Sequence, residues 1–298
     1  MRAQRGFVLV NALVLVGALA AAAMVLLVRA EMSVQRQSVW QSAAQIEAYL
    51  DAVDTLAISL LEADAPGGAD HMQEVWAEPI RTVELDRGDV TGRIEDLQGR
   101  FNVNWLSVPE DLASQEAFDR LLVARGLPLA SGAAIRAFLT PGQPANLAAY
   151  AGASPATLPR GGPIRNARQL LTIPQLSPEL FARLAPVIAA LPSDTRLNVN
   201  TAPAEVLDVW LPGVDGALAR QLVDRRRREP YTSVEDFVLD LPADVAGALD
   251  EARLVTSSDW FVVQATARLD GRSMSRQTVL VRQPLPVGVS VDYRLPDG

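Results

Sequence analysis

Few side chains in this sequence could carry out covalent or acid–base chemistry. It has no cysteine and a single histidine, His71. A thiolate nucleophile, a disulfide and the usual pairing of a histidine base with a nucleophile therefore find no support. His71 follows Ala65-Pro66-Gly67-Gly68 in a polar stretch and reads as a solvated loop residue. No Gly-rich phosphate loop and no metal-spaced histidine cluster occurs. Carboxylates are plentiful, but a neighbouring pair such as Glu235-Asp236 diverges by roughly 100° on a helix, so the two acids do not face each other. Loop acids and backbone carbonyls are the hard oxygen ligands that Ca²⁺ takes. No spaced ligand signature accompanies them, so Ca²⁺ is the one cofactor the residues allow and its ligands stay unknown. No catalytic residue is expected, and the chain reads as a non-enzyme.

One stretch could hold phosphate. LNVNTAPAEVLDVWLPGVDGALARQLVDRRRREPYTSVEDF, from Leu197, resembles the helix-hairpin-helix of periplasmic DNA-uptake proteins. In that motif a Pro-Gly-hydrophobic-Gly turn opens backbone N–H groups onto a DNA phosphate at a helix start. Here the turn is Pro212-Gly213-Val214-Asp215, and a carboxylate at the last position opposes phosphate. Thr195 to Thr256 carry 7 Arg against 11 Asp and Glu, within a chain of net charge −8 whose 27 basic residues are all arginine. Nonspecific DNA binding needs a basic face. The run Arg225 to Arg228 ends a helix, where cations suit the dipole. No nucleic acid is expected, and a membrane-anchored DNA-binding protein is kept as the alternative reading.

The elements that must position these residues begin with a hydrophobic stem. Residues 7–28, FVLVNALVLVGALAAAAMVLLV, hold no charge. As a helix they are about 33 Å long, enough to cross a hydrocarbon core of about 30 Å. Arg2 and Arg5 on the short side predict a cytoplasmic N-terminus with the remainder across the membrane. The helical pattern continues to about Ala63, with Val34, Ile46, Leu50, Val53, Leu56, Ala57 and Leu60 at three- and four-residue steps, so one long helix is predicted over 7–64. Residues 79–97 alternate around Arg87-Gly88, and Trp260–Leu269 and Ser273–Arg282 flank Asp270-Gly271; two antiparallel hairpins are predicted. Beyond Arg282 an irregular tail is expected.

About 150 residues of helical character separate the hairpins. Helices are predicted at 109–125, 131–139, 166–171, 177–190, 203–211, 215–228, 233–240 and 243–251. Ser107-Val-Pro-Glu110 has the form of a capping box. Ser177-Pro178-Glu179 and Ser233-Val-Glu-Asp236 read as helix starts. Pro141 to Pro163 divides the helices into two groups. An internal echo, Arg100-Phe-Asn-Val-Asn104 and Arg196-Leu-Asn-Val-Asn200, predicts extended pieces whose Asn side chains bond nearby backbone. The class is α+β: sheet at 65–106 and 257–298, the latter including the tail, with an all-α insert at 107–256 in two lobes, about 107–195 and 196–256.

Arg5-Gly6-Phe7 ahead of an apolar helix resembles the processing site of type IV pilins and type II secretion pseudopilins; a plain signal anchor is the alternative. IEDLQGRFNVNWL (94–106), PIRNARQLLTIP (163–174), LNVNTAPAEVL (197–207) and WFVV (260–263) resemble, in that order, the landmarks of K-type minor pseudopilins, the GspK family. The resemblance implies a leader, residues 1–6, removed by the prepilin peptidase between Gly6 and Phe7, with methylation of Phe7. It implies a pilin-like roll, the helix packed on an antiparallel sheet, with SAM-like or helix-hairpin-helix-like lobes inserted. It further implies a single-pass inner-membrane protein with a periplasmic body, placed at the pseudopilus tip with I- and J-type minor pseudopilins and the major pseudopilin as partners; a type IV pilus minor pilin is the nearest alternative. Asn11 stands where pilins carry Glu, a departure shared with K-type subunits, and that family is known to bind Ca²⁺.

Overall fold

The computed structural model describes residues 3–64, 68–142, 150, 152 and 158–297. Helix α1 (Ala3–Ala63) is unbroken, as expected of a stretch without Gly or Pro after the apolar segment. Its first part stands free, with Leu13, Val14, Leu19 and Leu26 all more than 60% exposed. Its last third buries Ile46, Leu50, Val53, Ala57 and Leu61. These recur at steps of three and four, so they form one stripe. Leu56, expected in that stripe, faces solvent instead, since Val53 and Ala57 already fill the line of contact.

The stripe packs on a five-stranded sheet. Strands β1 (Ile80–Leu85) and β2 (Gly88–Asp96) form the first hairpin. Strands β3 (Trp260–Leu269) and β4 (Arg272–Gln283) form the second. The irregular tail predicted beyond Arg282 is instead a fifth strand, β5 (Gly288–Asp297), paired antiparallel with β4. Pro284 and Pro286 fall in the β4–β5 turn, where no ladder donor is required, so they do not bar the strand. The spatial order is β1-β2-β3-β4-β5 and every pairing is antiparallel. The sheet is thus a plain meander whose β2–β3 connection has been expanded into the helical insert. At Gly88 a Cβ would lie 1.9 Å from the Arg268 carbonyl oxygen, so this first position of β2 admits only glycine.

Period-two alternation gives the sheet two different faces. Phe261, Val263, Ala265, Ala267 and Leu269 of β3 point to α1. Val262 and, on β4, Val279 point the other way, where Leu97, Ala189 and Leu191 of the insert's connections cover them.

Within the insert the helices are α2 (Leu112–Ala124), α3 (Leu129–Leu139), α4 (Pro178–Leu184), α5 (Ala204–Trp210), α6 (Gly216–Arg226), α7 (Val234–Leu239) and α8 (Ala243–Gly247). The Ser107–Glu110 capping box does not form. Asp111 caps α2 by accepting from Ser114 N–H at 3.0 Å, and Ser107 Oγ instead donates to the Asn104 carbonyl. Ser177 and Ser233 cap α4 and α7 as predicted. The helix predicted over 177–190 stops at Leu184, because Pro186 lacks a donor and Ile188-Ala189 pair in parallel with Phe101-Asn102. The predicted dividing stretch 141–163 lies largely outside the described residues. Both groups of helices share one hydrophobic core. Trp105 stacks on Trp210 at 4.1 Å between ring centroids, and Arg253 lies 4.3 Å from the Trp210 centroid while pairing with Asp111 at 2.9 Å.

A buried ion cluster lies under the α1–sheet contact. Asp54 is 2% exposed and meets Arg276 at 2.8 Å, Arg294 at 3.0 Å and Thr278 Oγ1 at 3.0 Å. Its position on the helix and theirs on β4 and β5 fix the rotation and height of α1 on the sheet. Removing one member of such a group strands the others. We expect Asp54→Ala to lower the unfolding free energy by about 3–5 kcal/mol, read by denaturant titration of the detergent-solubilised protein; a loss under about 1 kcal/mol, the scale of an exposed pair, would refute the assignment.

Candidate assembly site

Between the membrane segment and the body runs a bare stretch of helix. Among the described residues Ser42 is the first buried one of α1, so from Val28 the helix rises about 21 Å to this point. Among the described residues this is the one helix long and apolar enough to cross a membrane, and none of its apolar window is buried. Backbone hydrogen bonds inside the helix leave only apolar side chains at its surface, the condition for residence in lipid. The predicted processing residues Gly6 and Phe7, and Asn11, belong to α1, but their side chains lie outside the described residues.

The insert leaves and rejoins the sheet at one buried polar joint. Asp96 ends β2, Ser258 precedes β3, Asn198 opens the second group of helices and Asp70 follows α1; all four are buried. Asp96 Oδ2 accepts from Ser258 Oγ at 2.7 Å, from Asn198 Nδ2 at 3.1 Å and from the Thr201 hydroxyl. Asp96 Oδ1 accepts from Gln98 N–H at 2.7 Å. Asp70 Oδ2 accepts from Ser258 N–H at 2.6 Å, and Arg282 of β4 donates to both Asp70 oxygens at 2.9 and 3.1 Å. Arg282 also reaches Asp64 at the end of α1, 3.0 Å away. A Cβ on Gly99 would come within 2.8 Å of the Thr201 backbone, so glycine is what lets the two connections pass this closely.

Among the described residues, Asp64, Asp70 and Glu74 bring carboxylate oxygens within 4.8 Å of one another. A divalent cation favours such oxygens. The arrangement does not fit one: Arg282 already lies between Asp64 and Asp70, and Glu74 accepts from His71 N–H at 2.8 Å and Trp76 Nε1–H at 2.7 Å. No calcium ligand is assigned. His71 caps its own turn, accepting from Gln73 N–H at Nδ1.

The Asn echo is structural at both sites. Asn102 Oδ1 accepts from Asn104 N–H at 3.1 Å, and Asn198 Oδ1 from Asn200 N–H at 2.9 Å. The second Asn of each pair then bonds a distant backbone in both directions: Asn104 with Ile164 N–H and C=O, Asn200 with Tyr231 N–H and C=O. Each of those partners follows a proline and precedes a cap, Asn166 or Ser233.

The repeat extends to the turns. α2–α3 and α5–α6 are both helical hairpins turning on a left-handed glycine, Gly126 (φ 62°) and Gly213 (φ 75°), followed by buried Leu127 and Val214. Asp215 occupies the phosphate position itself, accepting from Ala217 N–H at 2.9 Å and Leu218 N–H at 2.8 Å. In the basic run, Arg225 pairs with Asp240 at 2.8 Å, and buried Arg226 donates to the Val199 and Ala202 carbonyls. The motif's anion-binding donors are thus spent within the chain.

Comparison with known proteins agrees with this architecture. Two family models described as type II secretion system protein K match residues 99–193 and 197–257. The type II secretion system protein K of Pseudomonas aeruginosa is 30% identical over 262 residues, covering 80% of this chain and 78% of that protein. The chain belongs to the type II secretion protein K family. The Klebsiella pneumoniae member is 27% identical, covering 96% of this chain and 95% of its own. A chain in the crystal structure of the GspK-GspI-GspJ complex from enterotoxigenic Escherichia coli aligns with a TM-score of 0.74 at 18% identity, covering 88% of this chain and 99% of that one. That likeness is one of fold. As a GspK protein the chain is a minor pseudopilin of type II secretion.

Sequence reading missed the joint. Asp70, Ser258 and Arg282 carry no local pattern, while Asp96 and Asn198 lie inside motifs noted for other reasons. Burial pushes the Asp70 carboxyl up to about 7, against Arg282 and the Ser258 N–H, which pull it down. Burial also raises Asp96, against its Ser258, Thr201, Gln98 and Asn198 donors. A carboxyl whose folded value lies above its unfolded one adds stability below the unfolded value and loses it as pH rises through the folded one. The melting temperature should therefore fall between pH 5 and pH 8, and Asp70→Asn should flatten the fall; an unchanged slope in the variant would contradict this.

Proposed function

We propose that the chain matures by cleavage between Gly6 and Phe7, remains in the inner membrane by residues 7–28 with its N-terminus cytoplasmic and its body periplasmic, and then joins the tip of the pseudopilus. The observation that carries this reading is the continuity of α1. A stem that enters the sheet without a break transmits any pull on the membrane half directly to the body. Arg2 and Arg5, with no acid beside them, favour the cytoplasmic side for the short end. In this reading the domains are the leader 1–6, the helix 7–64, the sheet segments 65–106 and 257–298, and the insert 107–256 with lobes near 107–195 and 196–256.

Exposed Leu, Val and Met side chains on the stem supply the association surface, gaining about 25 cal/mol per Å² wherever water is displaced and packing energy within lipid. I- and J-type minor pseudopilins are the proposed neighbours, in keeping with the GspI and GspJ of the related complex, and the major pseudopilin lies below. Asn11 offers no carboxylate to the amine of a subunit ahead, which suits a terminal position. The bulk of the insert blocks addition above it. The role is assembly, without turnover of a substrate.

A DNA-binding role loses its main motif to the Asp215 cap, and the match to type II secretion proteins favours the pseudopilus over a type IV pilus. Intact mass of the membrane-extracted protein should show loss of residues 1–6 and gain of one methyl group. Gly6→Val should abolish both maturation and secretion of exported proteins, and normal secretion by that variant would overturn the proposal.

A further inference from the structure

The sheet face turned away from α1 is only partly covered by the insert. Between that face and the 178–187 segment lies a cleft of about 530 Å³, continued by a second hollow of about 320 Å³ that shares Ala190, Val279 and Tyr293 with it. The floor is apolar, made by Val262, Val279, Tyr293 and Leu295. The rim is basic: Arg93, Arg100 and Arg168 line the first hollow, Arg160 and Arg165 the second. Among the described residues that line the two hollows, two acids, Glu95 and Asp292, stand against these five arginines. Both acids are already engaged, Glu95 by Arg93 and Arg100 together and Asp292 by Arg165 at 2.7 Å. Positive charge is thus concentrated here on a chain of net charge −8.

We infer that this cleft is a docking surface for an acidic polypeptide segment of a partner protein, its apolar side chains on the sheet and its carboxylates on the arginine rim. Charge complementarity selects that occupant. Arg93 and Arg165 keep 57% and 70% of their side chains exposed, so their guanidinium groups reach solvent and can steer a negatively charged chain inward. Tyr293 and Leu295, both half-buried, supply the apolar contact on which affinity rests, backed by Val262 and Val279 beneath them. Guanidinium pairs with carboxylate in fixed geometry, which favours Asp and Glu over a diffuse anion. The cleft lies opposite α1, so it stays open whether or not α1 packs against other stems.

The test uses full-length protein in detergent and a fluorescein-labelled peptide of Glu-Leu-Gly repeats, read by anisotropy. Saturable binding is expected, weakened about tenfold between low and high salt. A Lys-Leu-Gly peptide should not bind, and a Glu-Ser-Gly peptide should bind at least about fivefold more weakly because it leaves the floor uncovered. Arg93→Gln with Arg165→Gln should weaken the Glu-Leu-Gly peptide about fivefold or more. Arg268→Gln, an exposed arginine on β3 outside the cleft, should leave it unchanged. Melting curves of the variants, expected to overlay the parent, separate lost binding from lost folding. No saturation with the acidic peptide, equal binding of the Lys peptide, or indifference to the Arg93/Arg165 pair would overturn the inference.

Discussion

A single helix has to satisfy two solvents, and the rest of the structure follows from how it does so. Over residues 7–28 it is uncharged and almost uniformly apolar, the composition that fits lipid, where no backbone donor can be left free. Over residues 42–61 its surroundings are water on one side and a sheet on the other, which demands a stripe. No Gly or Pro separates the two regimes, so the body is held rigidly at the end of a rod about 90 Å long. Asp54 then decides where on the rod the sheet sits. A purely apolar stripe would tolerate a slip by one turn, whereas a buried carboxylate must meet Arg276, Arg294 and Thr278 together.

The sheet itself is conventional in connectivity, and its unusual feature is what has been placed between two neighbouring strands. β2 and β3 pair along nine positions, although more than 160 residues separate them in the chain. Such an insertion is tolerated when its two ends lie close together, since loop closure costs little more for a long connection than for a short one. Here the ends are tied by Asp96, Ser258 and Asn198, and Arg282 draws the end of α1 into the same place. At this joint stem, sheet and insert all meet. It is also where burial pushes the Asp70 carboxyl up to about 7, so the point of mechanical connection responds to proton concentration.

The insert repeats one design twice. An Asn pair closes its own turn, then clamps a backbone residue that follows a proline and precedes a capped helix; between them two helices turn on a left-handed glycine. The two copies fuse through Trp105 and Trp210 into one core. The likeness to DNA-binding hairpins is therefore a likeness of backbone. The third position of each turn, Pro128 and Asp215, is not the glycine that would expose donors to phosphate, and at Asp215 the side chain takes those donors for itself.

The sequence by itself determined the membrane segment, both hairpins, the helical insert and the family to which the chain belongs. Those features rest on local periodicity, turn chemistry and ordered motifs, all of which are written within a few residues. It misplaced the α2 cap, because Ser107 turns back to the nearby Asn104 carbonyl and leaves the cap to Asp111; it ended α4 too late and left β5 as a tail, because these depend on distant partners, Phe101 for Ile188 and the exposed edge of β4 for residues 288–297. Tertiary structure alone decided the joint and the arginine-rimmed cleft. Asp54, Asp70, Asp96 and Arg282 look like ordinary surface charges in one dimension, and burying a charge becomes meaningful only once folding has brought its counter-charge or donors within about 3 Å.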